Sequence, residues 1–134
     1  MTDSPLSELV SQRLAQALEA LEEARLLAEA NHPRGSVNRS YYSMFYSVQA
    51  LLAEAGLRTS KHSGVIALFD REFVKKGTIE KEFSRNLHRL FDLRQDSDYG
   101  DLFEADAERA KEVLEQARAF VERVRTHLAQ DTER

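Results

Sequence analysis

The sequence has no cysteine and no tryptophan, and its 134 residues include only five glycines and two prolines. Without cysteine there can be no disulfide, no thiol nucleophile and no cysteine-ligated zinc or iron–sulfur centre. So little glycine and proline leaves few places for turns, which argues for a small number of long elements. No apolar run reaches the roughly 18–20 residues of a membrane span, and the opening MTDSPLSE lacks a signal peptide's basic and apolar regions. The expected compartment is therefore the cytoplasm, with no membrane partner. Gly-rich phosphate loops, a Walker lysine and a dinucleotide fingerprint are also missing. A carboxylate-bridged two-metal site needs two Glu-x-x-His spacings, and only Glu29 to His32 occurs, next to Pro33. Neither a metal nor a cofactor is expected.

What is present describes a globular chain. Apolar residues make up 42% and charged residues 31%, a balance that folds rather than stays disordered. A chain of this length fits one domain, expected over 1–134 with its core at about 5–128, and buries roughly 65–70% of its unfolded surface. The net charge of −4 is unevenly spread. Met1–Pro33 carries −4, Arg34–Arg94 carries +5 and Gln95–Arg134 carries −5. A basic middle between acidic ends can attract an anion locally, or can simply pair with the acidic helices.

Leu6, Leu9, Val10, Leu14, Ala17, Leu21, Ala24 and Leu27 recur at three- and four-residue steps, the pattern of an amphipathic helix. Ser4-Pro5 opens it and Asn31-His32-Pro33 closes it. A second helix carries Val37, Tyr41, Met44, Phe45, Val48, Leu51, Leu52 and Ala55 and stops at Gly56. A third is expected from near Ser60, with Val65, Ile66, Phe69 and Phe73 inward, Lys75-Lys76 in its last turn and Gly77 after it. Thr78 is expected to cap a fourth helix bearing Ile79, Phe83, Leu87, Leu90 and Phe91. The stretch Gln95–Asp101 (QDSDYGD) reads as a polar loop, and a last helix starts around Phe103 or Glu104. There is no internal repeat and no strand pattern. The expected architecture is all-α, an antiparallel bundle of about five helices.

Within this frame several residues can carry chemistry. Tyr41 and Phe45 fall on the apolar face. Tyr42 and Tyr46 lie about 100° round the helix, with Arg39 one turn below, and suit either a partner helix or stacked bases. Arg58, Lys61 and His62 gather at the start of the third helix, where free N–H groups also favour an anion. Lys81, Arg85, His88 and Arg89 make a basic ridge on the fourth helix. Arg94, followed by Asp96, Asp98, Tyr99 and Asp101, combines an anion-binding guanidinium with a potential proton donor.

Three segments together resemble the HEPN family (higher eukaryotes and prokaryotes nucleotide-binding). They are Val37-Asn38-Arg39-Ser40-Tyr41-Tyr42-Ser43-Met44-Phe45-Tyr46 with Ala50-Leu51-Leu52, then Ser60-Lys61-His62-Ser63-Gly64-Val65-Ile66, and then Leu93-Arg94-Gln95 to Asp98-Tyr99. The resemblance runs from about Leu6 to Leu128. It implies a four-helix up-and-down bundle with an extra short helix, often a homodimer, in a toxin-like or regulatory protein. It also implies a minimal nucleotidyltransferase as partner and action on RNA or a nucleotide. Many members cleave RNA without metal, using an Arg followed after four to six residues by a His. Arg94 takes the Arg position, but Tyr99, Gly100 and Asp101 stand where the His would be. The resemblance thus nominates Arg94, Tyr99 and Asp98 as catalytic, with His62 or His88 as imidazoles from elsewhere in space. Arg39, Lys61, His62 and His88 become RNA or nucleotide contacts, and Tyr99 a site for adenylyl modification by the partner. The alternative is a non-catalytic module that binds a protein or nucleotide.

Overall fold

The computed structural model describes residues 5–59, 61–99 and 106–132, with side chains over 7–59, 61–94 and 106–130. Five α-helices run through these residues: α1 (Pro5–Glu29), α2 (Pro33–Glu54), α3 (His62–Phe69), α4 (Lys81–Tyr99) and α5 (Ala107–Thr132). The four long helices form an antiparallel up-and-down bundle, and α3 is the additional short one. No strand occurs among the described residues, and none of their helices is long and apolar enough to cross a membrane.

Three helical segments end by one device. Asn31, Gly56 and Gly77 adopt φ of 64°, 74° and 82°. Each reverses the chain so that the next N–H reaches back to a carbonyl five residues earlier. These bonds are His32 to Leu27 at 2.8 Å, Leu57 to Leu52 at 2.8 Å and Thr78 to Phe73 at 2.8 Å. Glycine reaches this left-handed conformation without a Cβ penalty, and asparagine is among the few other residues that visit it routinely.

The α1–α2 pair packs most extensively because both partners offer small side chains. Ala17, Ala20 and Ala24 are buried on α1, as are Ser36, Ser40, Ser43 and Ser47 on α2. Ser36 Oγ donates to the Ala24 carbonyl at 2.8 Å, tying the two helices together. Elsewhere the core is bulky, with Tyr41, Met44, Phe45 and Val48 of α2 clustered with Val65, Phe69, Leu87, Leu90 and Phe120. Placing Tyr41 and Phe45 in the core thus agrees with their four-residue spacing.

Several boundaries differ from expectation. The third helix begins at His62, and Ser60 lies outside the described residues. Its last turn is π-wound over Asp70–Val74, closed by Lys75 N–H to the Asp70 carbonyl at 2.7 Å, so Lys75 and Lys76 follow the helix instead of ending it. Thr78 does not cap α4, which starts at Lys81. Its N–H completes the preceding stop, and its carbonyl accepts from Arg123 Nη2 at 2.9 Å. The expected loop at Gln95 is also corrected, since α4 continues to Tyr99. Nothing from Gln95 to Tyr99 is a glycine or proline, and polar residues alone do not stop a helix. Gly100 and Asp101 lie outside the described residues. The last helix starts at Ala107 because Asp106 caps it, its Oδ1 accepting the Arg109 N–H at 2.7 Å.

Candidate functional site

The three segments singled out in the sequence meet at one place. Tyr41, Tyr42 and Phe45 come from α2, His62 from the first turn of α3 and Arg94 from α4. The His62 ring stacks on Phe45 at 4.0 Å between centroids with a 14° interplanar angle. It also lies 5.9 Å from Tyr41 at 16° and meets Tyr42 edge-on at 5.8 Å and 87°. The guanidinium carbon of Arg94 sits over both tyrosines, 5.6 Å from the Tyr41 ring centre and 5.3 Å from that of Tyr42.

Local structure explains this convergence. Tyr41 and Phe45 stand one turn apart and face the core, so their rings form a floor. Gly64 keeps the first turn of α3 close to the connector before it. A Cβ there would come within 2.7 Å of Thr59 Oγ1. Phe91, one turn before Arg94, packs on Tyr41 at 6.2 Å and seats α4 against α2. The Arg94 side chain thereby meets the rings from the third side.

The electrostatics select what the site can hold. Burial pushes the Tyr41 phenol well above its ordinary pKa, against the opposing pull of the Arg94 cation. The phenol therefore keeps its proton, and a buried O–H needs an acceptor. His62 Nδ1 lies 2.9 Å away, while a guanidinium accepts nothing. Burial, and secondly Arg94, hold the His62 pKa below its ordinary value. A neutral imidazole that accepts at Nδ1 carries its hydrogen on Nε2. Arg94 and His62 thus both present donors, which suits an anion such as a phosphate. In this tautomer His62 presents Nε2–H as a donor, and its basic nitrogen, Nδ1, is taken by the Tyr41 hydroxyl.

The other nominated residues fall into two groups. Arg39 joins the rim, its guanidinium carbon 4.8 Å from the Tyr42 centroid and its Nη1 3.4 Å from Glu23. Lys61 is exposed at the N-cap position of α3, beside His62. His88 stands apart. It precedes Arg94 by six residues, about 120° round α4, and its Nε2 lies 2.6 Å from Asp70 Oδ2. Asp70 also accepts from Ser84 Oγ at 2.6 Å. The side chains of Asp98 and Tyr99 lie outside the described residues, although α4 passes through both positions. Tyr42 and Tyr46, expected on a second face, are half-buried with ring centres 5.8 Å apart. Tyr41 was legible as core but not as the hydrogen-bond partner of His62, although a buried phenol always poses that question.

The fold is an all-α helical bundle domain that gathers an arginine and a histidine over tyrosines at the α2–α3–α4 junction. The chain belongs to the HEPN family, whose HEPN domain model matches residues 10–127. A UPF0332 protein of Thermotoga maritima is 43% identical over 109 residues, which cover 81% of this chain and 83% of the relative. A Methanocaldococcus jannaschii protein named "putative toxin" is 32% identical over 128 residues, 96% of this chain and 95% of its own. A second protein of that organism with the same description is 31% identical over 115 residues, 86% and 78% of the two chains.

Proposed function

We propose that this chain is a HEPN-type toxin-like or regulatory protein that acts on RNA, with Arg94 and His62 binding a phosphate of the strand. The observation that carries the proposal is the meeting of three distant segments at two donors, Arg94 and His62 Nε2–H. Two relatives that carry the name "putative toxin" support a toxin-like role. The same proposal takes 1–134 as one cytoplasmic domain, working as a homodimer with a minimal nucleotidyltransferase partner.

In RNA cleavage without metal, the ribose 2′-oxygen attacks phosphorus and loses its proton to a base. The P–O5′ bond then breaks and the leaving 5′-oxygen takes a proton from water, giving a 2′,3′-cyclic phosphate and a 5′-hydroxyl end. Arg94 and His62 donate to the phosphate oxygens as charge builds on them. The proton acceptor falls to Asp98, one turn beyond Arg94, or to Tyr99. A Tyr at its usual pKa of about 10 is a poor base at neutral pH, so Asp98 is the better candidate.

Incubation with a cellular RNA pool in EDTA tests this. Wild-type cleavage lost in both Arg94→Ala and Asp98→Asn supports the enzyme. A second reading, a non-catalytic RNA- or nucleotide-binding module, is favoured by the donor-only character of Arg94 and His62. Binding without cleavage selects it. Mass spectrometry after co-expression with a minimal nucleotidyltransferase checks adenylyl transfer to Tyr99, and an unmodified Tyr99 rejects that role.

A further inference from the structure

The stripe of α2 that carries Tyr42 and Tyr46 continues through Gln49 and Ala53 at three- and four-residue steps. There it enters an open groove of about 490 Å³ between α1 and the α2–α3 connector. Leu9, Leu52 and Leu57 provide apolar surface, and Gln49 offers an amide with both donor and acceptor. The charged residues among the described lining are Arg13 and Arg58, with no carboxylate. The volume lies in the range of small-ligand sites, which combine apolar walls with a few polar groups. The connector that forms one wall runs on to His62, four residues after Arg58. Along α2 the distance from Tyr42 to Gln49 is about 10 Å.

We infer that this groove binds an adjoining nucleotide of the RNA strand held at Arg94 and His62. The base rests on the apolar surface with its edge toward Gln49, and the phosphate lies toward Arg13 and Arg58. This assignment rests on the function proposed above. Charge and continuity favour it together. Two cations without an acid suit a phosphate, and the half-buried Tyr46 ring gives a strand a stacking surface between the two places. An apolar helix would gain nothing from the arginines, and an isolated anion would not use the leucines.

Fluorescence anisotropy with labelled oligoribonucleotides tests the inference, using a dinucleotide and a strand several times longer across a salt series. The double variant Arg13→Ala/Arg58→Ala is expected to weaken the longer strand about tenfold. It should also lower the slope of log affinity against log salt by about 1. Dinucleotide binding, which depends on Arg94, should stay as in the wild type. Thermal melts confirm that the double variant folds. If its long-strand affinity and salt slope are unchanged while Arg94→Ala weakens binding at least about tenfold, the groove assignment is overturned and the proposed function stands. If the wild type binds neither RNA, both fall. Binding of AMP that needs Arg13 and Arg58 but not Arg94, and that does not compete with the strand, makes the groove a free-nucleotide site and overturns the inference.

Discussion

His62 and His88 are each held by one hydrogen bond from a neighbouring helical segment, and the two bonds run in opposite directions. At His62 a buried phenol donates into Nδ1, and Arg94 lies over the same tyrosine. At His88 the imidazole Nε2 donates into the Asp70 carboxylate, which also takes the Ser84 hydroxyl. The remaining nitrogen of His62 is therefore a donor, with Arg94 over the neighbouring tyrosine rings, whereas the His88 ring is tied to a carboxylate. On the function proposed above, a phosphate is drawn to the donors at His62, and the Asp70 carboxylate disfavours one at His88. Being a histidine on a basic stretch does not decide the role; the partner behind the ring does. His88 stitches the π turn to α4, and His62 is packed against the rings of Tyr41, Tyr42 and Phe45.

The sharpest break in this comparison is Arg94→Ala. Loss of a charge-assisted contact of about 1.5–3 kcal/mol should weaken RNA binding roughly 10- to 100-fold, measured by anisotropy. His88→Gln should leave RNA binding unchanged. The same Arg94 variant should raise the His62 pKa toward its ordinary value, because a repelling cation is gone; NMR titration reads this directly. Tyr41→Phe comes next. It removes the donor to Nδ1 at a cost of about 1 kcal/mol in chemical denaturation and frees His62 to place its proton on either nitrogen. For His88→Gln the loss should be smaller, about 0.2–1 kcal/mol, because the pair with Asp70 is largely exposed.

The smallest effect is in the pH dependence of stability. His62 is held neutral in the folded chain, so the unfolded chain binds more protons between the ordinary value near 6.5 and the lower folded value. Stability should fall as pH drops through that window, and His62→Gln should flatten the slope there. Glu22 and Glu80 act lower down. Hydrogen bonds from Arg25 and Arg123 hold their pKa values below the ordinary 4.5, so their contributions disappear only in stronger acid.

Much of the architecture was legible because it is local. The spacing of Leu6 to Leu27 and of Val37 to Leu52 dictates two amphipathic helices, and Asn31, Gly56 and Gly77 punctuate the chain where their backbone freedom is needed. The extension of α4 past Gln95 was not legible, since Asp and Ser are frequent in loops yet do not by themselves stop a helix. The π turn at Asp70–Val74 left no mark in the apolar spacing. The individual site residues could be nominated by type, but their partners could not. Residues 41, 62 and 94 are remote in sequence, and only the packing of α3 and α4 on α2 makes Tyr41 the partner of His62. The helix period sets His88 about 120° round α4 from Arg94, although the two share a helix.

The most direct test of the account is long-range 1H–15N NMR of the imidazoles, recorded at neutral pH with and without a short oligoribonucleotide. The account predicts a neutral His62 with its proton on Nε2, shifting when RNA is added while His88 stays in place. A His62 protonated on Nδ1 alone, or an RNA response at His88 with none at His62, would contradict it.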